Sequence, residues 1–255
     1  MGEIVMSEHL IIEKLSVDFN GFKAVTELSL NIAKGELRCL IGPNGAGKTT
    51  ALDLICGKTK PTSGSIRYCG KELANLEEYV IARAGVGRKF QVPSVFRELT
   101  VRENLEVALC RNVGVIANLF HKGREAEAEG LEKLAEFVGL QEEIEKSASY
   151  LSHGQTQWLE IALLLAQDSE LILLDEPTAG MTAQETQKTA DICNRLKGKH
   201  TIIVVEHDMG FVREIGDVIS VMHQGSLLAE GTATEVSNNP KVREVYLGSI
   251  GIDNA

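Results

Sequence analysis

Cysteine is scarce in this chain of 255 residues, and its spacing excludes two kinds of stabilised fold. The five cysteines are odd in number, and no two of them form a C-x-x-C pair. A disulfide framework needs paired cysteines, and a structural zinc site needs closely spaced Cys or His ligands. We therefore expect small buried hydrophobes in a reducing compartment at Cys39, Cys56, Cys69, Cys110 and Cys193.

The sequence also lacks any apolar run near the ~20 residues that a transmembrane helix needs. Its apolar stretches around 161–166 and 171–174 are short and have charged residues close by. The N-terminus lacks the basic and then apolar segments of a secretory signal. We expect a cytoplasmic chain, and a role at a membrane would then depend on a partner.

An excess of positive charge is missing as well. Asp and Glu outnumber Lys and Arg by 36 to 26, for a net charge of −10. Proteins that bind nucleic acid broadly carry a basic footprint, so this balance argues against such a partner. Apolar residues make up 44% of the chain, enough for one large α/β domain or for a core with a subdomain.

The most informative segment that is present runs from Gly42 to Thr50, between an apolar run and a helical pattern. It meets the spacing G-x-x-x-x-G-K-[ST], in which glycines let backbone N–H groups surround a phosphate. Lys48 supplies a positive charge for the β- and γ-phosphates, and the Thr49 hydroxyl can bind Mg²⁺. The alternative is a glycine-rich turn without a ligand. The predicted phosphate-binding loop consists of Gly42, Pro43, Asn44, Gly45, Ala46, Gly47, Lys48, Thr49 and Thr50.

A second segment, 171–177, places two carboxylates after four apolar residues. We predict a buried strand that brings Asp175 to the same edge of a doubly wound sheet as the phosphate-binding loop. Asp175 is suited to the Mg²⁺ hydration shell, and Glu176 to activating a water as general base. By itself this pair could be an acidic turn at a strand end.

Three further positions are ambiguous when each is considered alone. Ser152, in Leu151-Ser152-His153-Gly154-Gln155, is a plausible N-cap of an ordinary helix. Gln91 and His207 each follow a predicted strand and could be surface residues.

Together these motifs, in this order, resemble the nucleotide-binding domain of ABC ATPases over about residues 9–248. The resemblance implies ATP and Mg²⁺ as ligands, with Gln91 contacting both the metal and the attacking water. It implies that His207 contacts the γ-phosphate and that Phe19 stacks on adenine, although Phe19 could instead be a core aromatic. It further implies that Ser152, Gly154 and Gln155 bind the γ-phosphate of ATP held by an opposite subunit.

The same resemblance implies an α/β P-loop NTPase fold of the ABC-ATPase kind. We expect one domain over 9–248, whose RecA-like core and antiparallel β subdomain span about 9–91 and 167–248. An inserted α-helical subdomain would span about 92–166. Within that insertion, 124–146 is predicted to form one amphipathic helix.

The resemblance also implies partners. These are integral-membrane permease subunits, a second ABC ATPase in a head-to-tail dimer and, indirectly, a periplasmic substrate-binding protein, with no nucleic acid. The chain would then lie at the cytoplasmic face of the inner membrane. It departs from the family pattern at His153, where glycine is common, and at Thr182, where many members have aspartate.

Finer resemblance is to ATP-binding subunits of importers for branched-chain amino acids and amides, carried by 87–105 and 231–248. Residues 151–161 and 206–209 look most like the urea-importing type. Two alternatives stay open. One is the ATPase of a lipopolysaccharide exporter, which shares the ending Val-x-x-x-Tyr-Leu-Gly. The other is a DNA-acting ABC ATPase, which would need long coiled-coil insertions that are absent from this sequence.

Overall fold

The computed structural model describes residues 8–89, 95–109 and 124–250. The front of the chain forms an antiparallel sheet with strand order β2-β1-β4-β5. The near-alternating apolar pattern of 9–32 predicts the two long strands, β1 and β2, because alternate side chains face the core. The strands are β1 (Glu8–Phe19), β2 (Phe22–Ala33), β4 (Ser63–Tyr68) and β5 (Lys71–Glu72).

A second sheet has strand order β10-β9-β3-β8-β7-β6. Its neighbouring strands are parallel except for the antiparallel pair of β9 and β10. The strands are β3 (Leu37–Ile41), β6 (Val86–Lys89), β7 (Leu171–Asp175), β8 (Thr201–Val205), β9 (Val218–His223) and β10 (Ser226–Gly231).

The second sheet lies between two apolar cores, which explains why its central strands are mostly apolar. Along β7, Leu171 and Leu173 face one core, whereas Ile172 and Leu174 face the other. Every residue of β3, β7 and β8 is buried. A strand covered on both faces has no solvent side, so polar alternation disappears.

Helices cover this sheet, and three of them lie in the described residues between β6 and β7. They are α1 (Lys48–Ile55), α2 (Glu78–Arg83), α3 (Val101–Leu109), α4 (Arg124–Val138), α5 (His153–Ala166), α6 (Ala183–Leu196), α7 (Met209–Ile215), α8 (Ala233–Asn238) and α9 (Pro240–Ile250). Over the described ranges, no helix combines the length and apolar character needed to cross a bilayer.

The predicted helix over 124–146 is too long at its C-terminal end. Helix α4 stops at Val138, and a short 3₁₀ turn follows at Gln141–Glu143. Gly139 has a φ of +72° and donates to the Glu136 carbonyl, while Leu140 donates to that of Ala135. These two bonds form a Schellman motif, in which a left-handed glycine ends the helix.

Candidate functional site

The predicted phosphate-binding loop connects the buried strand β3 to α1. Two of its glycines, Gly42 and Gly47, are required by close backbone contacts. A Cβ on Gly42 would lie 2.2 Å from the Met222 carbonyl oxygen, and one on Gly47 would lie 2.5 Å from that of Ala24. Gly47 also has a φ of +95°, a conformation that glycine adopts without steric penalty. The loop therefore packs closely against the backbone of β2 and β9 and leads directly into the start of α1.

The Lys48 ammonium lies inside this loop. Its Nζ donates to the carbonyl oxygens of Gly42 at 2.8 Å and Pro43 at 3.0 Å. Burial lowers the pKa of Lys48, and the nearby carboxylates of Glu176 and Asp175 oppose that shift. The charge is thus held at the centre of the loop, facing the acidic end of β7.

Asp175 reaches the loop from β7 even though β8 lies between β7 and β3 in the sheet. The Thr49 hydroxyl donates to Asp175 Oδ1 at 3.3 Å. On the other side, Arg88 Nη2 lies 3.3 Å from Asp175 Oδ2. Burial raises the pKa of Asp175, and Arg88 opposes the rise. The predicted meeting of Asp175 with the phosphate-binding loop is present.

Glu176 and His207 also come together at this edge. Glu176 has a φ of +46°, and its N–H donates to the Val205 carbonyl at 2.9 Å. This uncommon backbone conformation turns the side chain out of the strand direction. Glu176 Oε1 then lies 3.8 Å from His207 Nδ1, and the His207 ring is 67% exposed.

Sequence reasoning missed a carboxylate that organises this edge. Glu206 is buried and accepts hydrogen bonds from the Thr178 hydroxyl at 2.6 Å and the Thr178 N–H at 3.1 Å. The His207 N–H donates to its other oxygen at 3.0 Å. Glu206 therefore ties the loop after Glu176 to the end of β8. The sequence feature that could have indicated this role is an acidic residue directly after the apolar run 202–205.

Ser152 is the N-cap of α5, as predicted. Its hydroxyl accepts from the Gln155 N–H at 3.1 Å, and the Ser152 N–H donates to Gln155 Oε1 at 2.9 Å. This reciprocal arrangement is a capping box. Ser152 and Gly154 contact Glu185 at the start of α6, rather than Thr49 and Asp175.

Phe19 lies at the end of β1, directly opposite Phe22 in the antiparallel register. It is 48% exposed, so it is not a core aromatic. Strand β2 continues from Phe22 to Ala24, whose carbonyl borders Gly47 in the phosphate-binding loop. Gln91, predicted to contact metal and water, lies outside the described residues.

Comparisons with known proteins agree with this geometry. A family model described as ABC transporter matches residues 25–179. A second, described as branched-chain amino acid ATP-binding cassette transporter, matches residues 226–250.

Two curated relatives span nearly the whole chain. The high-affinity branched-chain amino acid transport ATP-binding protein LivG of Salmonella typhimurium is 41% identical over 253 residues, covering 95% of this chain and 99% of the relative. BraF of Pseudomonas aeruginosa, described in the same words, is 39% identical over 248 residues, covering 94% of this chain and 97% of BraF.

Among solved structures, the ADP conformation of MJ1267, an ATP-binding cassette of an ABC transporter, superposes with a TM-score of 0.82. It is 32% identical, and the match covers 95% of this chain and 99% of MJ1267. The predicted ABC-ATPase fold is therefore confirmed. The chain belongs to the ABC transporter family of ATP-binding subunits, and it is an ATPase coupled to transport.

Proposed function

We propose that this chain is the ATP-hydrolysing subunit of an importer for branched-chain amino acids or a related amide. The observation that carries the proposal is the convergence of Thr49, Asp175, Glu176 and His207 at one sheet edge beside the phosphate-binding loop. This edge combines hydroxyl, carboxylate and imidazole groups with a positively charged loop, as phosphoryl transfer requires.

In this proposal the loop from Gly42 to Thr50 holds the ATP phosphates, and Phe19 stacks on the adenine. The Thr49 hydroxyl, Asp175 (through water) and Gln91 would hold Mg²⁺ there. Hard oxygen donors of this kind suit Mg²⁺, which usually binds one or two carboxylates plus substrate phosphates. When bound, the metal neutralises charge on the phosphates.

Glu176 acts as the general base. It takes a proton from a water as the water oxygen bonds to the γ-phosphorus and the bond to the ADP oxygen breaks. His207, 3.8 Å from Glu176, positions that water and contacts the γ-phosphate. The backbone at Glu176 supports the role, because its carboxylate leaves the strand direction and stays 35% exposed.

The trans half of the site is proposed to be Ser152, Gly154 and Gln155, which bind ATP held by a second ABC ATPase in a head-to-tail dimer. This assignment is supported by the exposure of Ser152 and His153 at the start of α5. Permease subunits would dock against the helical insertion, where Phe96 is 57% exposed. The chain would thereby be held at the cytoplasmic face of the membrane, with a substrate-binding protein on the other side.

For the imported substrate, the match at 226–250 and the names of the relatives support branched-chain amino acids. They favour an importer over the lipopolysaccharide exporter and over DNA-acting members. Urea is the second candidate, because the signature segment 151–161 carries the urea-type pattern with His153. The two candidates differ only in substrate, which membrane and binding-protein partners select.

Replacing the general base tests the hydrolytic part of the proposal. We expect Glu176→Gln to bind ATP normally but to lower kcat by about 10²- to 10⁴-fold, the usual contribution of a general base. ATP turnover and nucleotide affinity are the measurements, with the exposed Glu145→Gln as the control. A Glu176→Gln variant with wild-type kcat would refute the assigned base.

Uptake measurements separate the two substrates. In the source cell, deletion of this chain should abolish ATP-dependent uptake of labelled leucine if branched-chain amino acids are the substrate, and of labelled urea in the other case. Restoring the wild-type chain should recover uptake, whereas the Glu176→Gln chain should not. If uptake of both solutes persists at wild-type rates, the importer proposal is wrong.

A further inference from the structure

The loop that begins α5 is bound to a carboxylate of its own chain. The Ser152 hydroxyl donates to Glu185 Oε1 at 3.1 Å, and the Gly154 N–H also donates to the Glu185 carboxylate. The approach is so close that a Cβ on Gly154 would lie 2.5 Å from Glu185 Oε1. Only glycine at position 154 admits this contact.

Glu185 also caps the helix on which it lies. Its Oε2 accepts from the Thr182 N–H at 2.9 Å and from the Thr182 hydroxyl at 3.0 Å. These bonds, led by that from the Thr182 N–H, lower the pKa of Glu185, so the carboxylate is ionised at neutral pH. One negative group therefore joins the loop before α5 to the loop before α6.

His153 makes a second bond between the same two loops. Its Nε2 lies 2.9 Å from the Ala179 carbonyl oxygen, and it donates in the tautomer that carries the proton on Nε2. Ala179 follows Glu176 by three residues. The contacts of Glu185 with Ser152 and Gly154, and of His153 with Ala179, together form a loop clasp.

We propose that Glu185 is an internal competitor for the partner's γ-phosphate, holding the Ser152 hydroxyl and Gly154 N–H until the dimer closes. The inference rests on the proposed role of Ser152 and Gly154 in trans. A serine hydroxyl has one proton and donates to one acceptor at a time, so phosphate must displace Glu185. A carboxylate this close also repels the incoming anion.

Displacing Glu185 from Ser152 also affects the chain's own site. It releases a bond that holds the start of α6. The loop between Glu176 and α6 includes Thr178 and Ala179, which follow the proposed base closely in sequence. Binding the partner's nucleotide therefore loosens the segment behind this chain's own Glu176. Glu185 is a positioning residue in this scheme and touches no reacting atom.

Removing the charge of Glu185 tests the competition. In chains that also carry Glu176→Gln, Glu185→Gln should lower the ATP concentration for half-maximal dimerisation, measured by light scattering, by about 5- to 10-fold, a usual size for coupling between sites. The control is Glu235→Gln. Glu235 caps α8 through the same Thr-x-x-Glu box, accepting from the Thr232 N–H and hydroxyl at 2.8 Å. No shift with Glu185→Gln, or an equal shift with Glu235→Gln, overturns the competition.

A second measurement reads the loop clasp without a dimer. In the nucleotide-free chain, Glu185→Gln should speed hydrogen exchange at the Gly154 amide several-fold, whereas Glu235→Gln should leave it unchanged. Unchanged exchange with Glu185→Gln overturns the clasp itself. If the Glu176→Gln parent forms no dimer with ATP, the second ABC ATPase of the proposed function is not another copy of this chain, and the exchange result still decides the clasp.

Discussion

The two halves of the proposed ATP site are built by different physical means. In the half around the phosphate-binding loop, Lys48 at the start of α1 is 8% exposed and Asp175 at the end of β7 is 1% exposed. In the half that would serve a partner, Ser152 and His153 are exposed and are positioned by helix caps. A buried group costs much to disturb, whereas an exposed hydrogen bond exchanges readily with water or a ligand. The first half is thus pre-formed, and the second is held by bonds that a ligand can replace.

The largest loss of unfolding free energy is expected from breaking a buried ion pair next to the phosphate-binding half of the site. Lys89 Nζ, at the end of β6, lies 4.0 Å from Glu160 Oε2 on α5, and both side chains are 2% exposed. Removing one partner of such a pair leaves a buried charge and costs about 3–5 kcal/mol. We expect Glu160→Gln to lower the free energy of unfolding in urea by about that amount at pH 7.

This loss should shrink at alkaline pH. Burial already lowers the pKa of Lys89 below its usual 10.5, and Glu160 opposes that shift. Between the folded-state pKa and 10.5 the unfolded chain binds more protons, so the free energy of unfolding rises with pH. Glu160→Gln removes the opposing carboxylate and lowers the folded-state pKa of Lys89 further, so the variant gains more than the wild type as the pH rises.

The control is Glu129→Gln, which breaks the exposed pair of Lys133 and Glu129 and should cost less than about 1 kcal/mol. Equal losses of unfolding free energy in both variants, at pH 7 and at alkaline pH, would contradict the distinction between buried and exposed halves.

The same distinction explains what sequence reasoning could predict. The phosphate-binding loop is predictable because glycine spacing, Lys48 and Thr49 satisfy a local backbone requirement. Asp175 is predictable because an apolar run that ends in a carboxylate predicts a buried strand with the carboxylate at its end. The pairs of Arg88 with Asp175 and of Lys89 with Glu160 were missed, since each joins residues far apart in sequence and only the sheet order brings them together.

In the signature segment, 151–161, the sequence predicts less of the structure. Its N-cap was predictable from Ser152 and Gln155, which act over three residues. Its contacts with Glu185 and Ala179 were not, because nothing local marks which side chain will lie opposite an exposed loop. The departure from the family pattern at His153 was visible in the sequence, but its bond to Ala179 was not, because the two residues are brought together only by the fold.

The smallest loss of unfolding free energy is expected from a substitution in the exposed half of the site. His153→Ala removes the exposed bond to Ala179 and a longer, 3.4 Å contact with Gln157 Nε2, and it should lower the free energy of unfolding by about 1 kcal/mol or less. Because His153 lies away from the phosphate-binding loop's contacts, the affinity of the isolated chain for ATP should stay within about twofold, well below the tenfold that ~1.4 kcal/mol would produce.

His200→Ala is the matched control, since His200 Nδ1 lies 2.9 Å from the Ser169 carbonyl, remote from the signature. Both variants lose one bond between an imidazole and a carbonyl, but only His153→Ala should speed hydrogen exchange in the segment 179–182. If His153→Ala instead destabilises the chain as much as Glu160→Gln does, the signature loop is held as firmly as the buried half. A loop held that firmly would leave no exchangeable bond for a partner's phosphate to replace.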